Sequence, residues 1–195
     1  MVSRSEFILG GQRSGKSRRA ELLAQDWLAQ LPGRQAVMIA TATAWDDEMR
    51  ARISRHQSDR AERVPGMITV EEPMAVGQAI QTHSKPQTLV VVDCLTLWLT
   101  NLLMPHENAE SGVNIASNLP PAQQLWAQEA TLLIAIKCAL GPVVLVGNEI
   151  GLGVIPMGRE TRDFVDALGR LNQEVAAGCE RVTFMAAGLP LVLKG

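Results

Sequence analysis

The sequence predicts an α/β protein: a mainly parallel sheet flanked by helices, with a small antiparallel edge. Three observations carry that expectation. Short apolar runs alternate with segments of helical apolar spacing almost throughout the chain. A glycine-rich loop joins the first apolar run to the first helical segment. The last two runs follow each other around Gly188-Leu189-Pro190 with no helix between them, as a hairpin does.

In order, Phe7-Ile8-Leu9 is short and apolar, as a buried strand requires. From Ser17 to Leu31, Ala20, Leu23, Ala24, Trp27, Leu28 and Leu31 recur at helical spacing, and Pro32-Gly33 stops that helix. Ala36 to Thr41 reads as a second strand. Asp46-Asp47-Glu48 place acids in the first turn of a helix, where the backbone dipole favours them; that helix is expected to reach about Asp59. Met67 to Val70 is a weaker strand, and Met74 to Thr82 a helix. Leu89-Val90-Val91-Val92-Asp93 is the clearest strand, continued from Cys94 to Leu103 by an apolar helix. Met104 to Pro121 has no apolar period and is either a surface loop or a lid, a mobile surface loop being the expectation. Gln123 to Leu140 is a helix, Val143 to Val146 a strand, Gly147 to Gly158 a glycine-rich loop and Arg159 to Ala177 a helix. Val182 to Ala186 and Leu191 to Lys194 form the closing hairpin.

A chain of 195 residues, 47% of them hydrophobic, suits a single domain over residues 1–195 with a substantial core. The formal charge of −2 offers no basic excess for nucleic acid or an anionic membrane surface. No apolar run reaches membrane-spanning length, and Met1 to Glu6 lacks a signal-peptide core, so a cytoplasmic protein is expected. Cys94, Cys138 and Cys179 lie far apart, without the spacing of a zinc site, and suit reduced thiols.

Gly10-Gly11-Gln12-Arg13-Ser14-Gly15-Lys16-Ser17 matches the P-loop pattern, in the required place between a strand and a helix. Glycines let the backbone turn its N–H groups towards phosphate oxygens, and the helix N-terminus adds to that field. Lys16 is expected to neutralise β/γ-phosphate charge and Ser17 to ligate Mg²⁺. Asp93, at the end of an apolar strand, is the expected second Mg²⁺ ligand; alternatively it caps the following helix. Arg52, His56 and Arg60 recur at i, i+4 and i+8, so on a helix they share a basic face that suits a triphosphate. A neutral imidazole there has a lone pair able to attack phosphorus. By spacing alone, a solvated basic face with an incidental histidine fits as well. Glu71 and Glu72 either point at a site or face solvent, and Asn148 to Pro156 follows a strand where ligands of parallel sheets bind. His83 and His106 read as surface residues.

Together these pieces resemble the bifunctional adenosylcobinamide kinase/adenosylcobinamide-phosphate guanylyltransferase family of cobalamin biosynthesis. The resemblance covers nearly the whole chain. It rests on Gly10 to Ser17, Ala40-Thr41-Ala42, the Arg-Ile-x-x-His core within Asp46 to Arg60, Asp93-Cys94-Leu95-Thr96, Thr100-Asn101-Leu102-Leu103, Asn148-Glu149 to Pro156, and Gly169 to Gln173. It implies a RecA-like P-loop fold, often assembled as a homotrimer. It implies phosphorylation of adenosylcobinamide by ATP or GTP, then transfer of GMP from GTP through a guanylylated histidine to adenosylcobinamide phosphate. The matching histidine is His56. The nucleotide contacts implied are Gly10, Gly11, Gln12, Arg13, Ser14, Gly15, Lys16, Ser17, Ala40, Thr41, Ala42, Gln57, Ser58, Asp59, Arg60, Glu71 and Asp93. Two departures stand out: Gln57 occupies a position usually basic, and the usual Trp before Thr69-Val70-Glu71 is absent.

Two other readings fit the sequence. One is a small-molecule kinase with an inert His56. The other is a nucleotide-dependent switch, against which stands the lack of an Asn/Thr-Lys-x-Asp guanine-reading motif; the only Asp-x-x-Gly, Asp166 to Gly169, falls inside a predicted helix.

Overall fold

The computed structural model describes residues 2–44, 46–104 and 120–195, with the side chains of Arg52 and Pro121 outside that description. The loop expected from Met104 to Pro121, with His106, therefore falls almost wholly outside the described residues.

The seven apolar runs form one sheet. Its strands are β1 (Ser5–Gly10), β2 (Gln35–Ala40), β3 (Ile68–Glu71), β4 (Thr88–Asp93), β5 (Val143–Asn148), β6 (Arg181–Ala186) and β7 (Leu189–Lys194). Their order is β3-β2-β4-β5-β1-β6-β7. All neighbours are parallel except β6 and β7. The helices between them are α1 (Lys16–Gln30), α2 (Asp47–Arg63), α3 (Val76–His83), α4 (Leu95–Leu103), α5 (Pro121–Cys138) and α6 (Arg159–Gly178).

Strand alternation sends side chains to two cores. Phe7 and Leu9 pack with Ile80, Trp98, Leu132 and Leu171, from α3, α4, α5 and α6. Ile8 turns the other way and packs with Ala20, Leu23, Ala24 and Trp27 of α1. Both faces of the central strands are covered, which explains why they read as unbroken apolar runs.

Several element ends differ from the sequence expectation, each for a local polar reason. Helix α2 continues past Asp59 to Arg63, because Arg63 pairs with both Asp59 and Glu21 of α1. Helix α3 starts at Val76 rather than Met74, because a Glu72 carboxylate oxygen accepts from the N–H groups of Met74 and Ala75. Strand β5 runs on to Asn148, which pairs with Gly10. Strand β7 begins at Leu189 and includes Pro190; an edge strand tolerates a residue without an N–H. The β6–β7 turn places Ala187 (φ 52°) and Gly188 (φ 80°) both in the left-handed region, as the tightest hairpin turns demand.

The strand order positions the site. Strand β5 separates β1, which leads into the glycine-rich loop, from β4, which ends on Asp93. The carboxyl ends of β1, β5, β4 and β2 therefore line one edge, the usual ligand-binding place of a parallel sheet.

Candidate active site

The loop after β1 is shaped by close approach. Gly10 has φ +152°, and a Cβ there would lie 2.4 Å from the Met185 carbonyl oxygen. Gly15 has φ +101°, and its Cβ would lie 3.2 Å from Gly188 Cα. The turn of the β6–β7 hairpin thus presses against the loop from below, and the Gly188 N–H donates to the Ser14 carbonyl at 3.0 Å. No local sequence signal marks this brace, because it joins the two ends of the chain.

Lys16 opens α1 and is buried, with its Nζ donating to the Gly11 carbonyl at 2.6 Å. Burial lowers its pKa, while the nearby charges of Cys94 and Asp93 act the other way. Lys16 and Asp93, distant in sequence, thus share one electrostatic neighbourhood. Ser17 sits beside Lys16 in the first turn, half-buried. The Ser14 hydroxyl is buried and has no hydrogen-bond partner among the described residues. Gln12 and Arg13 are exposed, Arg13 with φ 56°.

The β2 and β4 ends are tied together. Thr41, fully buried, donates its hydroxyl hydrogen to the Cys94 carbonyl at 2.7 Å and accepts from the Cys94 N–H at 2.8 Å. Asn101 Nδ2 donates to the Thr41 carbonyl at 2.9 Å. Ala40 and Ala42, on either side, are half-buried. Burial pushes the Cys94 thiol up to about 11, with the Asp93 charge adding to the effect. A thiol so poor in thiolate is packing rather than a nucleophile.

Helix α2 brings the other expected residues to this edge. Asp46 caps it, accepting from the Met49 N–H at 2.6 Å. Gln57 Nε2 donates to Glu71 Oε1 at 3.0 Å, linking the helix to the end of β3. Asp59 pairs with Arg63 at 3.1 Å. His56 and Ser58 are exposed. Arg60 is buried, yet no carboxylate pairs with it among the described residues. Buried arginines are nearly always paired, so an Arg60 without a carboxylate is unusual. Of the basic face predicted from Arg52, His56 and Arg60, the two described side chains differ: His56 meets solvent while Arg60 turns inward.

The Asn148-Glu149 segment is held more tightly than its glycine-rich continuation suggests. The Asn148 N–H donates to Thr96 Oγ1 at 2.8 Å, and its carbonyl accepts from Asn172 Nδ2 at 3.1 Å. The Glu149 N–H donates to the Gly10 carbonyl at 3.1 Å. Thr96 and Asn172 lie in segments singled out by the resemblance, but their anchoring role needs the fold to be seen.

A profile of the family described as cobinamide kinase / cobinamide phosphate guanyltransferase matches residues 6–193. The chain belongs to this family. Relatives of the cobinamide kinase / guanyltransferase chain carry the name bifunctional adenosylcobalamin biosynthesis protein. CobP of Pseudomonas aeruginosa is 43% identical over 190 residues, 97% of each chain. CobU of Salmonella typhimurium is 36% identical over 192 residues, 96% of this chain and 98% of the relative. CobU of Escherichia coli is 34% identical over 188 residues, with the same coverage of 96% and 98%. As a member of the family, the chain is a bifunctional enzyme of cobalamin biosynthesis, a kinase and a guanylyltransferase. Among solved structures, the flagellar accessory protein FlaH of Methanocaldococcus jannaschii superposes with a TM-score of 0.54 at 11% identity, over 100% of this chain and 80% of that one. That likeness concerns the fold alone.

Proposed function

We propose that residues 1–195 form one RecA-like catalytic domain in which the Gly10–Ser17 loop holds ATP or GTP and His56 carries GMP between the two substrates of the second reaction. The observation that carries this reading is Lys16. It is a buried ammonium whose only hydrogen-bond partner among the described residues is a loop carbonyl, within reach of the Asp93 charge. Ser14 Oγ and Arg60, which have no hydrogen-bond or ion-pair partner among the described residues, support it, since a phosphate chain supplies oxygens for both and for the remaining Lys16 N–H groups.

Ser17 and Asp93 offer a hydroxyl and a carboxylate oxygen, hard donors that fit Mg²⁺, and the neighbouring Lys16 suits a shared phosphate. Bound there, Mg²⁺ supplies charge neutralisation at the transferring phosphoryl group. In the kinase step, the aminopropanol hydroxyl of adenosylcobinamide attacks the γ-phosphorus and the β–γ bridging bond breaks. Lys16 stabilises charge that grows on the phosphate oxygens. In the second reaction an imidazole nitrogen of His56 attacks the α-phosphorus of GTP and pyrophosphate leaves. A phosphate oxygen of adenosylcobinamide phosphate then displaces the imidazole and takes the GMP. Splitting the transfer in this way replaces one difficult displacement with two easier ones. An exposed His56 suits a group that must meet two large substrates in turn. Gln57, Ser58, Asp59 and Glu71 flank it, and Ala40 to Ala42 line the neighbouring strand end.

The working form is proposed as a cytoplasmic homo-oligomer, a trimer by the resemblance. Among the described residues no helix is long and apolar enough to cross a membrane. Leu189, Leu191, Val192 and Leu193 of the edge strand β7 are exposed, as are Leu152, Val154, Ile155 and Met157. Exposed apolar side chains in this number are what self-association covers.

The test is incubation with Mg²⁺ and α-labelled GTP. Wild type is expected to gain an acid-labile, alkali-stable label, and His56→Ala to gain none. Equal labelling of the two proteins rules out His56 as the carrier. Kinase turnover with no label on the wild type leaves a kinase alone.

A further inference from the structure

The kinase step needs a group to take the acceptor's hydroxyl proton, and none of the residues assigned above supplies it. We infer that Glu149 is that base and that the cavity beside it seats the hydroxyl-bearing arm of the corrinoid. The inference rests on the kinase reading.

Position comes first. Strand β5 lies between β1 and β4, with Asn148 opposite Gly10 and Val146 opposite Asp93. Glu149 is the next residue outward, and its N–H is bonded to the Gly10 carbonyl. Its backbone is therefore fixed at the root of the phosphate loop. The peptide before it is clamped by Thr96 and Asn172, so little freedom remains.

The other carboxylates at this edge are committed. Glu72 holds the start of α3, Glu71 receives Gln57, and Asp93 is the expected metal ligand. Glu149 Oε1 accepts from the Gly151 N–H at 2.7 Å, which orients the carboxylate. No cation pairs with Glu149 among the described residues. An oriented carboxylate without a counter-charge is suited to take a proton.

The cavity completes the argument. It measures about 590 Å³ and is lined by Glu149 together with Leu9, Leu152, Asn172, Gln173 and Leu193 among others. That is the size of an ordinary small-molecule cleft, of roughly 300–1,000 Å³. It suits an arm of a corrinoid rather than the macrocycle. In the step, the hydroxyl oxygen bonds the γ-phosphorus as its proton passes to Glu149. The β–γ bridging bond breaks, and the nucleoside diphosphate leaves with that electron pair. Glu149 then releases the proton to water.

Glu149→Gln separates catalysis from anchoring, because the amide keeps an oxygen for the Gly151 N–H but is no base. With cobinamide and MgATP, kcat for phosphorylation is expected to fall about 100- to 1,000-fold. The acceptor KM, and the affinity for a fluorescent nucleotide, should stay within about threefold of wild type, a change worth less than a tenfold step in binding. Glu149→Asp should fall between the two. Turnover of Glu149→Gln within threefold of wild type, or a loss confined to nucleotide affinity, overturns the assignment. A wild-type protein that phosphorylates no cobinamide overturns the kinase reading itself, and this assignment with it.

Discussion

Replacing Thr41 by Val tests whether the β2–β4 tie holds the site in place. Valine matches threonine in shape but removes the hydroxyl. The hydroxyl makes two bonds with the Cys94 backbone, one donated and one accepted, inside a fully buried position. Each such bond contributes about 1 kcal/mol net, and a buried polar group left without a partner costs about 1–3 kcal/mol. A loss of about 2–4 kcal/mol is expected, a large fraction of the roughly 5–15 kcal/mol that keeps a domain folded. Urea unfolding should show a lower midpoint at unchanged slope. Thr41→Ser keeps the hydroxyl and should lose less than half as much. Since Cys94 follows Asp93, Thr41→Val should also lower phosphoryl transfer under conditions where the variant is fully folded. A stability change below about 0.5 kcal/mol, within the range of ordinary surface substitutions, refutes the reasoning. An equal loss in Thr41→Ser assigns the effect to packing instead of the hydroxyl.

Two further outcomes follow from burial. Lys16→Ala should cost about 100- to 1,000-fold in kcat for phosphorylation, yet leave the unliganded protein at least as resistant to heat, because burial disfavours the ammonium it removes. A lower melting temperature contradicts that reading of Lys16. Cys94 should make wild-type stability sensitive to alkali. Its folded pKa of about 11 stands above the ordinary thiol value of 9.0. Between those values the unfolded chain has released a proton that the folded chain retains. The contribution is therefore fully present below pH 9.0 and lost as pH rises towards 11. Relative to Cys94→Ala, wild type should lose on the order of 3 kcal/mol across that interval, at 1.36 kcal/mol per pKa unit. A constant difference between the two proteins across that range contradicts the burial argument.

What was legible in the sequence follows the range of the forces involved. The central strands are legible because burial on both faces leaves unbroken apolar runs such as Leu89 to Val92. The tight turn of the Gly10–Ser17 loop is legible because its glycines are contiguous with the start of α1. The start of α2 is legible because Asp46 caps it and Asp47 and Glu48 sit in its first turn. What escapes are bonds between distant residues. Glu72 reads as surface or site until its carboxylate is found at the start of α3. Thr41 reads as the end of a strand until it is found holding Cys94. Gly188 reads as a turn, and only the fold brings it under Ser14. His56 is the intermediate case: its spacing from Arg60 is visible, but the helical period does not reveal that Arg60 is buried with no carboxylate partner among the described residues while His56 faces solvent.

The two proposed reactions ask different things of one edge. In the proposed mechanism the phosphate chain is held still, whereas His56 meets GTP first and a corrinoid phosphate second. The anchoring matches that division. The loop at Gly10 is braced from one side by the β6–β7 turn and from the other by the Glu149 N–H. Helix α1 behind it buries Ala20, Leu23, Ala24 and Trp27 in a core. Among the described residues helix α2 itself contributes none to either buried cluster; only its C-cap Val64 does, and the helix is otherwise fastened through Arg63 to Glu21 and Gln57 to Glu71. Apolar burial stabilises by about 1.5–3 kcal/mol per large side chain, while partly exposed polar pairs contribute about 0–1 kcal/mol. The seat of α2 is therefore the weaker one. Its side of the edge, beside β2 and β3, is also opposite that of Glu149, which follows β5 beyond β4. With His56 proposed as nucleophile on one flank and Glu149 inferred as acceptor base on the other, the two can serve the α- and γ-phosphorus of a fixed triphosphate without either group crossing the other's path.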